Sequence, residues 1–368
     1  MADDPVLFTT LRTASGHLFG RATLNAPASL NALSLAMVDA LDPQLAAWAA
    51  DPQVAGVVLD AVGDKAFCAG GDIVGLYRAI QAAPAEAEAF FEREYRLDHR
   101  IHCYPKPLLC WGHGIVMGGG IGLLAGASHR VVTPKTRMAM PEIGIGLYPD
   151  VGGSWLLPRL PGGAGLFLAL TGTSINAADA CFAGMADALL RHEDHGALLE
   201  AIAGAAWDGE RDADAARLSH LLQRLGGGVE RPASPLRAHL DRIGEVIGHD
   251  RLQDIAPRLR ALASDADPWL AQAGAAFAKG SPTSAALGFE MQRRARRLSL
   301  ADVFRLEWNA SVGCCRHHDL SEGVRALLID KDKNPRWQPA TLDEVTPALI
   351  EAHLRPQRAG THPLADLA

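Results

Sequence analysis

Alternating and helically spaced hydrophobic positions divide the first 200 residues into strands and helices. Residues 6–25 alternate around the turn signal Ala14-Ser15-Gly16, a pattern that predicts a β-hairpin. From Leu35 to about Ala50 apolar residues recur at helical spacing, and Ser34 before them is a residue type that caps helices. Because strand and helix patterns alternate, this part predicts an α/β fold with crossover connections. Further strands are predicted at 54–59, 108–116 and 130–133, and a further helix at 82–100.

The pattern changes near residue 200, where strand signals end and helical periods take over. Arg, Ala, Leu and Glu dominate the following segments, and from Asn334 the chain is rich in proline and weakly patterned. The sequence therefore predicts an α/β core at 1–200, an α-helical C-terminal region at 201–340 and an extended tail at 341–368. Helices are predicted at 214–225, 234–247, 267–280, 283–296 and 300–314.

Charge and cysteine usage exclude several classes of protein. The 368 residues carry 35 Lys+Arg against 42 Asp+Glu, so no global basic field attracts nucleic acid or an anionic membrane surface. The acidic start, Met-Ala-Asp-Asp, lacks the apolar stretch of a secretory signal. None of the 6 cysteines has Cys-x-x-Cys spacing, which favours reduced thiols over disulfides or a zinc site. We therefore expect a cytoplasmic protein with no metal, nucleic-acid or membrane partner.

Two glycine-bearing segments follow predicted strands, at 69–72 (Ala-Gly-Gly-Asp) and at 117–120 (Met-Gly-Gly-Gly). Glycine leaves backbone N–H groups accessible, and in the first turn of a helix these groups favour negative charge. A tight turn with Asp72 as a helix cap is the simpler interpretation of the first segment. Residues 120–125 also fit a dinucleotide-binding pattern. The next strand follows after only about eight residues, however, which is too few for a crossover helix.

A third segment carries two acids, Glu142 and Asp150, which are separated by Gly144, Gly146 and Pro149. The glycines and the proline favour a folded loop, and a loop can bring both carboxyl groups to one pocket. Apolar neighbours indicate partial burial, which raises the pKa of a carboxyl group. Such a pair is a candidate acid–base or nucleophile set. The alternative is that each carboxylate only caps a helix or accepts hydrogen bonds from backbone N–H groups.

Taken in order, these segments resemble the crotonase (enoyl-CoA hydratase/isomerase) superfamily over residues 20–190. The motifs are Leu24-Asn-Ala-Pro with Asn31-Ala-Leu, the two glycine segments, and a stretch from Pro141 to Arg159. Within the superfamily the chain most resembles the 3-hydroxyisobutyryl-CoA hydrolases, through stretches such as Tyr148-Pro-Asp-Val-Gly-Gly-Ser. The resemblance implies a spiral ββα crotonase core that binds acyl-CoA, a helical C-terminal region, and a homo-oligomer packed through that region.

The resemblance also implies a reaction, hydrolysis of a short 3-hydroxyacyl-CoA thioester in valine catabolism, with CoA as part of the substrate and no cofactor. The backbone N–H groups of Gly71 and Gly119 are carried over as the oxyanion hole. Glu142 is carried over as the nucleophile or the base that activates water, and Asp150 as the partner of the substrate 3-hydroxyl. Glu94 matches a substrate-contacting acid of the family, although a solvated helix face explains it nearly as well. The expected substrate-binding residues are Glu94, Asn31, Ala32, Leu33, Ala69, Gly70 and Asp72.

Other activities of the superfamily are the nearest alternatives. Hydratases use two glutamates, and here the first of these positions is Gly122, which cannot transfer a proton. Dienoyl-CoA isomerases have an acid at the position of Asp150 but keep a second acid near that of Gly122. A non-catalytic member that binds acyl-CoA or RNA is the remaining alternative. The acidic net charge argues against RNA.

Overall fold

A computed structural model describes residues 4–368, which form two compact units that interleave along the chain. The sheet unit comprises the residues up to Gly71 together with 97–138 and 175–234, and the helical unit comprises 72–96, 139–174 and 235–368. This is a different division from the consecutive regions predicted at 1–200, 201–340 and 341–368, whose boundaries stay a prediction.

The strands form two sheets. Their bounds are β1 Val6–Arg12, β2 Leu18–Leu24, β3 Val54–Ala61, β4 Ala66–Cys68, β5 Leu108–Gly112, β6 Ile115–Met117, β7 His129–Val132, β8 Arg137–Ala139, β9 Ile175–Asn176 and β10 Ala188–Leu189. The first sheet has 6 strands in the order β1-β2-β3-β5-β7-β10, with β1 and β2 antiparallel and the other neighbours parallel. The second sheet has 4 strands in the order β4-β6-β8-β9.

Helices connect the strands of the sheet unit and make up most of the helical unit. Those of the sheet unit are α1 Leu35–Ala50, α4 Gly119–Ala125, α7 Ala177–Phe182, α8 His195–Gly204 and α9 Arg211–Gly226. Those of the helical unit are α2 Ile73–Ala82, α5 Gly153–Leu156, α6 Ala164–Thr171, α10 Pro235–Ala238, α11 Leu240–Ile247, α12 Leu252–Ala261, α13 Pro268–Lys279, α14 Pro282–Ala295, α15 Leu300–Cys315, α16 His318–Val324 and α17 Pro347–Leu354. One helix, α3 Pro84–His102, belongs to the helical unit as far as Arg96.

The predicted hairpin and first helix are confirmed. β1 pairs with β2 from Val6 opposite Leu24 to Arg12 opposite Leu18. At the start of α1, the Ser34 side chain accepts a hydrogen bond from the backbone N–H of Met37, as expected of an N-cap. The predicted α/β fold with a helical C-terminal region is likewise confirmed, because parallel strands alternate with helices and no strand among the described residues follows β10.

The single strand predicted at 108–116 is wrong, because the chain turns at Gly114 and continues as β6 in the second sheet. Gly114 has a positive φ of 58°, and a Cβ atom there would lie 2.2 Å from the carbonyl oxygen of Lys65. Only glycine fits this close approach of two backbones. A continuous apolar pattern therefore hid a change of sheet.

The tail predicted as extended contains a helix. Thr346 caps α17 through its side chain, which accepts a hydrogen bond from the N–H of Leu349, and Pro347 occupies the first helical position. Further along, Leu364 is fully buried. The pattern missed α17 because a helix of 8 residues offers little more than two turns of periodicity.

The core of the sheet unit forms around large aromatic side chains. Phe19 of β2 and Trp207 are fully or almost fully buried, and their ring centroids lie 4.5 Å apart. Trp111 of β5 joins the same cluster together with apolar residues of α8 and α9. Within residues 4–368, no helix has both the length and the apolar character needed to span a bilayer.

Candidate active site

Residues 30–33 and 69–71 lie side by side in the sheet unit. The backbone N–H of Leu33 donates to the carbonyl oxygen of Gly70 at 2.7 Å, and the N–H of Ala69 donates to that of Leu30 at 3.1 Å. Leu33 and Gly71 form a parallel bridge. The structure therefore brings together the two predicted substrate-binding stretches, which include Asn31, Ala32, Leu33, Ala69 and Gly70.

Asn31 holds this region together through its side chain. Its Oδ1 accepts a hydrogen bond from the N–H of Ala26, and its Nδ2 donates to the carbonyl oxygens of Val62 and Ala66 at 3.0 Å each. The backbone at Asn31 is left-handed, with φ 54°, a conformation that asparagine tolerates better than most residues. A cavity of about 330 Å³ opens beside the turn. The side-chain amide is thus committed to the fold, and a substrate contact is left to the neighbouring backbone.

Strand register places the two predicted oxyanion-hole glycines at equivalent positions. In the parallel pair β4 and β6, Cys68 lies opposite Val116, so Gly71 and Gly119 each follow three residues after a paired position. Gly119 is the first residue of α4, where a backbone N–H has no partner within its own helix. Both N–H groups belong to chain segments that leave neighbouring strands in the same direction.

The backbones of these segments come into close contact after the strands end. A Cβ atom at Gly120 would lie 2.4 Å from the carbonyl oxygen of Cys68. Gly70 has φ 108°, and a Cβ there would lie 3.5 Å from the carbonyl oxygen of Met117. Glycine is therefore required at position 120 for the segments to approach this closely.

Asp72 acts as a helix cap, as the sequence predicts. Its carboxylate accepts a hydrogen bond from the N–H of Gly75 at 2.9 Å, at the start of α2. The predicted substrate contact of Asp72 stays a prediction, since one carboxylate oxygen satisfies the helix N-terminus.

Three acids of the helical unit are buried near one another. The exposed fractions of Glu94 on α3, of Glu142 at the start of a 3-10 turn and of Asp150 before α5 are 2%, 6% and 5%. Burial and the charges of Asp150 and Glu142 raise the pKa of Glu94 well above its usual value. The interpretation of Glu94 as part of a solvated helix face is therefore wrong.

Burial separates the ionisation of Glu142 from that of Asp150. Burial, and secondly the charge of Asp150, raise the pKa of Glu142 well above its usual value. Burial also raises the pKa of Asp150, but a hydrogen bond from Tyr95 opposes it, and the resulting value is about 6. Oε2 of Glu142 is buried and has no hydrogen-bond partner among residues 4–368. A carboxyl group with these properties can exchange a proton near neutral pH.

A fourth buried acid, Glu307 of α15, fixes the loop that carries Asp150. Its two carboxylate oxygens accept hydrogen bonds from the N–H groups of Gly152 and Ser154, at 2.8 and 2.9 Å. Burial, and secondly the charge of Asp150, raise the pKa of Glu307 to about 8. Because Glu307 satisfies these backbone donors, the capping role considered for Asp150 falls to another residue.

The sequence did not predict roles for Tyr95, Ser311 or Glu307. The hydroxyl of Tyr95 donates a hydrogen bond to Oδ2 of Asp150 at 2.6 Å. Tyr95 and Ser311 carry no motif of their own. Glu307, however, is three residues from Phe304 and four from Ser311, so helical spacing alone could have indicated an acid on a buried helix face.

Comparisons with known proteins agree on the family. A sequence model described as enoyl-CoA hydratase/isomerase matches residues 19–354. A mitochondrial 3-hydroxyisobutyryl-CoA hydrolase of Gallus gallus is 39% identical over 341 residues, which are 92% of this chain and 86% of the relative. That relative is named as mitochondrial, so the cytoplasmic location expected for this chain stays a prediction, as does the homo-oligomer.

Two similar solved structures have names that point to other reactions. A carnitinyl-CoA dehydratase from Mycobacterium thermoresistibile is 39% identical, with a TM-score of 0.85 over 96% of this chain and 97% of its own. An enoyl-CoA hydratase from Rhodobacter sphaeroides 2.4.1 is 36% identical, with a TM-score of 0.80 over 96% and 98%. The chain therefore belongs to the enoyl-CoA hydratase/isomerase family, the crotonase superfamily that its motifs resemble, and has the crotonase fold.

Proposed function

We propose that this protein hydrolyses the thioester of a short 3-hydroxyacyl-CoA such as 3-hydroxyisobutyryl-CoA. The observation that carries the proposal is the buried acid pair Glu142 and Asp150, whose pKa values are raised to different extents. The name of the Gallus gallus relative supports the same reaction. Gly122, at the position where hydratases of the superfamily carry a glutamate, is fully buried and offers no proton.

In the proposed reaction the N–H groups of Gly71 and Gly119 stabilise the thioester oxygen as it becomes negative. Each such donor typically lowers the barrier by about 3–4 kcal/mol. Glu142 either attacks the carbonyl carbon or removes a proton from the water that does so. The carbon–sulfur bond then breaks, and CoA leaves as the thiol with the proton that the acid pair has taken up.

The surroundings of Glu142 and Asp150 favour different roles for the two acids. A raised pKa makes Glu142 a stronger base, and a base is most effective when its pKa lies near the working pH. Asp150 ionises near pH 6, so at neutral pH it is a charged acceptor for the 3-hydroxyl of the acyl group. We therefore assign proton transfer or attack to Glu142 and recognition of the substrate hydroxyl to Asp150.

The proposal predicts that thiol release from 3-hydroxyisobutyryl-CoA depends on Glu142. Replacing it, Glu142→Gln, keeps the size of the side chain but removes its basicity, and should lower kcat about 10²–10⁴-fold. Thiol release measured with a chromogenic disulfide provides the readout. Glu230→Gln, at an exposed position of the sheet unit, is the matched control and should leave kcat unchanged.

Two results would contradict the proposal. Hydration of an enoyl-CoA or loss of diene absorbance, without thiol release, would identify a hydratase or an isomerase. Turnover that is unaffected by Glu142→Gln would indicate a protein whose acid pair takes no part in the chemistry.

A further inference from the structure

Asp150 is held by a residue on a different helix of the helical unit. The hydroxyl of Tyr95 on α3 donates to Oδ2 of Asp150 at 2.6 Å, and the tyrosine side chain is fully buried. A hydrogen bond from a neutral hydroxyl to a carboxylate is short and stronger than one between neutral groups. One oxygen of Asp150 is therefore fixed by the protein.

Two further hydroxyl groups continue this contact into α15. Oγ of Ser311 lies 2.7 Å from the hydroxyl of Tyr95 and 2.9 Å from that of Tyr148. The Tyr148 hydroxyl donates to the carbonyl oxygen of Glu307 at 2.8 Å. Since each hydroxyl has one proton, the protons of the two tyrosines are taken up by Asp150 and by this carbonyl. Ser311 is then the donor to a tyrosine oxygen, and it orients the Tyr95 hydroxyl towards Asp150.

We propose that Tyr95, oriented by Ser311, is a positioning residue that fixes the carboxylate of Asp150 for recognition of the substrate 3-hydroxyl. The inference rests on the proposed function and extends it from the acid pair to its support. A packing role alone would be satisfied by phenylalanine, and would not require a buried hydroxyl with a carboxylate on one side and a serine on the other.

The charges around Asp150 show why a fixed donor matters. Other acids surround it, and they favour its protonated form by repulsion, whereas Tyr95 favours the ionised form. Loss of the Tyr95 hydroxyl therefore raises the pKa of Asp150. The titratable groups that face Asp150 from α3, the 142–148 segment and α15 are Glu94, Tyr95, Glu142, Tyr148, Glu307, Cys314 and Cys315.

The test is Tyr95→Phe, which removes one oxygen atom and keeps the ring. For a 3-hydroxyacyl-CoA we expect kcat/KM to fall about 10- to 100-fold, and its acid limb to move up by about one pH unit. Isobutyryl-CoA lacks the 3-hydroxyl, so its smaller turnover should fall less. Ser311→Ala should shift both quantities in the same direction by a smaller amount, and it serves as the second variant if Tyr95→Phe does not fold.

Tyr104→Phe is the matched control, because it removes another buried tyrosine hydroxyl, which donates to the carbonyl oxygen of Leu45 in the sheet unit. It should leave the acid limb and the preference for the hydroxylated substrate unchanged. If Tyr95→Phe lowers only Tm, with the acid limb and substrate preference of the wild type, Tyr95 has a purely structural role and the inference is overturned.

A titration separates this inference from the proposed function. The carboxyl carbon of Asp150, labelled with ¹³C and assigned through Asp150→Asn, reports its pKa without any reaction. An upward shift in Tyr95→Phe is expected, and an unchanged pKa overturns the inference even when thiol is released. Absence of thiol release by the wild-type protein overturns the proposed function instead.

Discussion

The two units supply chemically different groups, backbone N–H groups in the sheet unit and carboxyl and hydroxyl side chains in the helical unit. Strand register sets the positions of Gly71 and Gly119, because both follow a paired position of neighbouring parallel strands. Burial and hydrogen bonds set the behaviour of Glu142 and Asp150. A backbone donor is therefore sensitive to added volume, whereas a buried acid is sensitive to the charges and donors around it.

Added volume in the sheet unit should have the largest effect. In Gly120→Ala the new Cβ would meet the carbonyl oxygen of Cys68 at 2.4 Å, so the backbone at the start of α4 must move. We expect kcat for thiol release to fall about 10²–10³-fold, as for the loss of one oxyanion donor. Steady-state kinetics on 3-hydroxyisobutyryl-CoA measures this effect.

Gly196→Ala is the matched change at an unconstrained glycine of the sheet unit. Gly196 lies within α8, and a Cβ there would have no neighbour within 4 Å. This control should keep kcat and raise the free energy of unfolding by about 0.5–1 kcal/mol. Equal turnover in the two alanine variants would mean that the glycine segments do not form an oxyanion hole.

The acids of the helical unit should give stability an unusual dependence on pH. A carboxyl group whose pKa is raised on folding contributes stability below its unfolded pKa, and that contribution is lost as pH rises through the folded value. The pKa of Glu142 is raised well above 4.5 and that of Glu307 to about 8. We therefore expect Glu142→Gln to be more stable than the wild type at pH 9, and to lose this advantage near pH 5.

Urea unfolding of the two proteins at pH 5 and pH 9 measures the difference. Buried histidines such as His102 and His353, whose burial lowers their pKa to about 4, titrate in both proteins and cancel. In the sheet unit, burial raises the pKa of Asp60, but hydrogen bonds from His195 and Thr23 and the charge of Arg21 lower it overall. Stability from Asp60 is therefore present above pH 3.8 and is lost as pH falls below that value. An equal stability difference at both pH values would contradict the raised pKa of Glu142.

The smallest predicted effect distinguishes the two roles of Asp72. Asp72→Ala removes the cap of α2 and should lower the free energy of unfolding by about 1 kcal/mol. Asp72→Asn keeps a capping oxygen, so stability should be nearly unchanged. If the carboxylate also contacts substrate, as predicted, KM should rise in both variants, whereas a rise in neither would leave Asp72 with the capping role alone.

Local features of the fold were predictable from the sequence because they depend on neighbouring residues. The hairpin, the Ser34 cap and the Asp72 cap each involve residues close in sequence. The turn at Gly114 was not predicted, since a glycine within an apolar run also fits one continuous strand. Its cause is contact with the backbone of Lys65, a residue far away along the chain.

The candidate site divides in the same way. Glu142 and Asp150 were predicted because they share a short segment and a family motif. Tyr95 is separated from Asp150 by 55 residues, and Ser311 from Tyr95 by 216. In the sequence, a tyrosine and a serine within helical patterns look like ordinary core or surface positions, so their role depends on tertiary packing that no local pattern contains.

The interleaving of the two units has a consequence for biosynthesis. Glu94, Asp150 and Ser311 come from the three separate stretches that form the helical unit. The ribosome must therefore extend the chain past Ser311 before the hydroxyl groups around Asp150 can assemble. Until then the acids of the nascent chain stay hydrated and charged, and premature termination after the sheet unit would leave the whole acidic cluster without a core to enter.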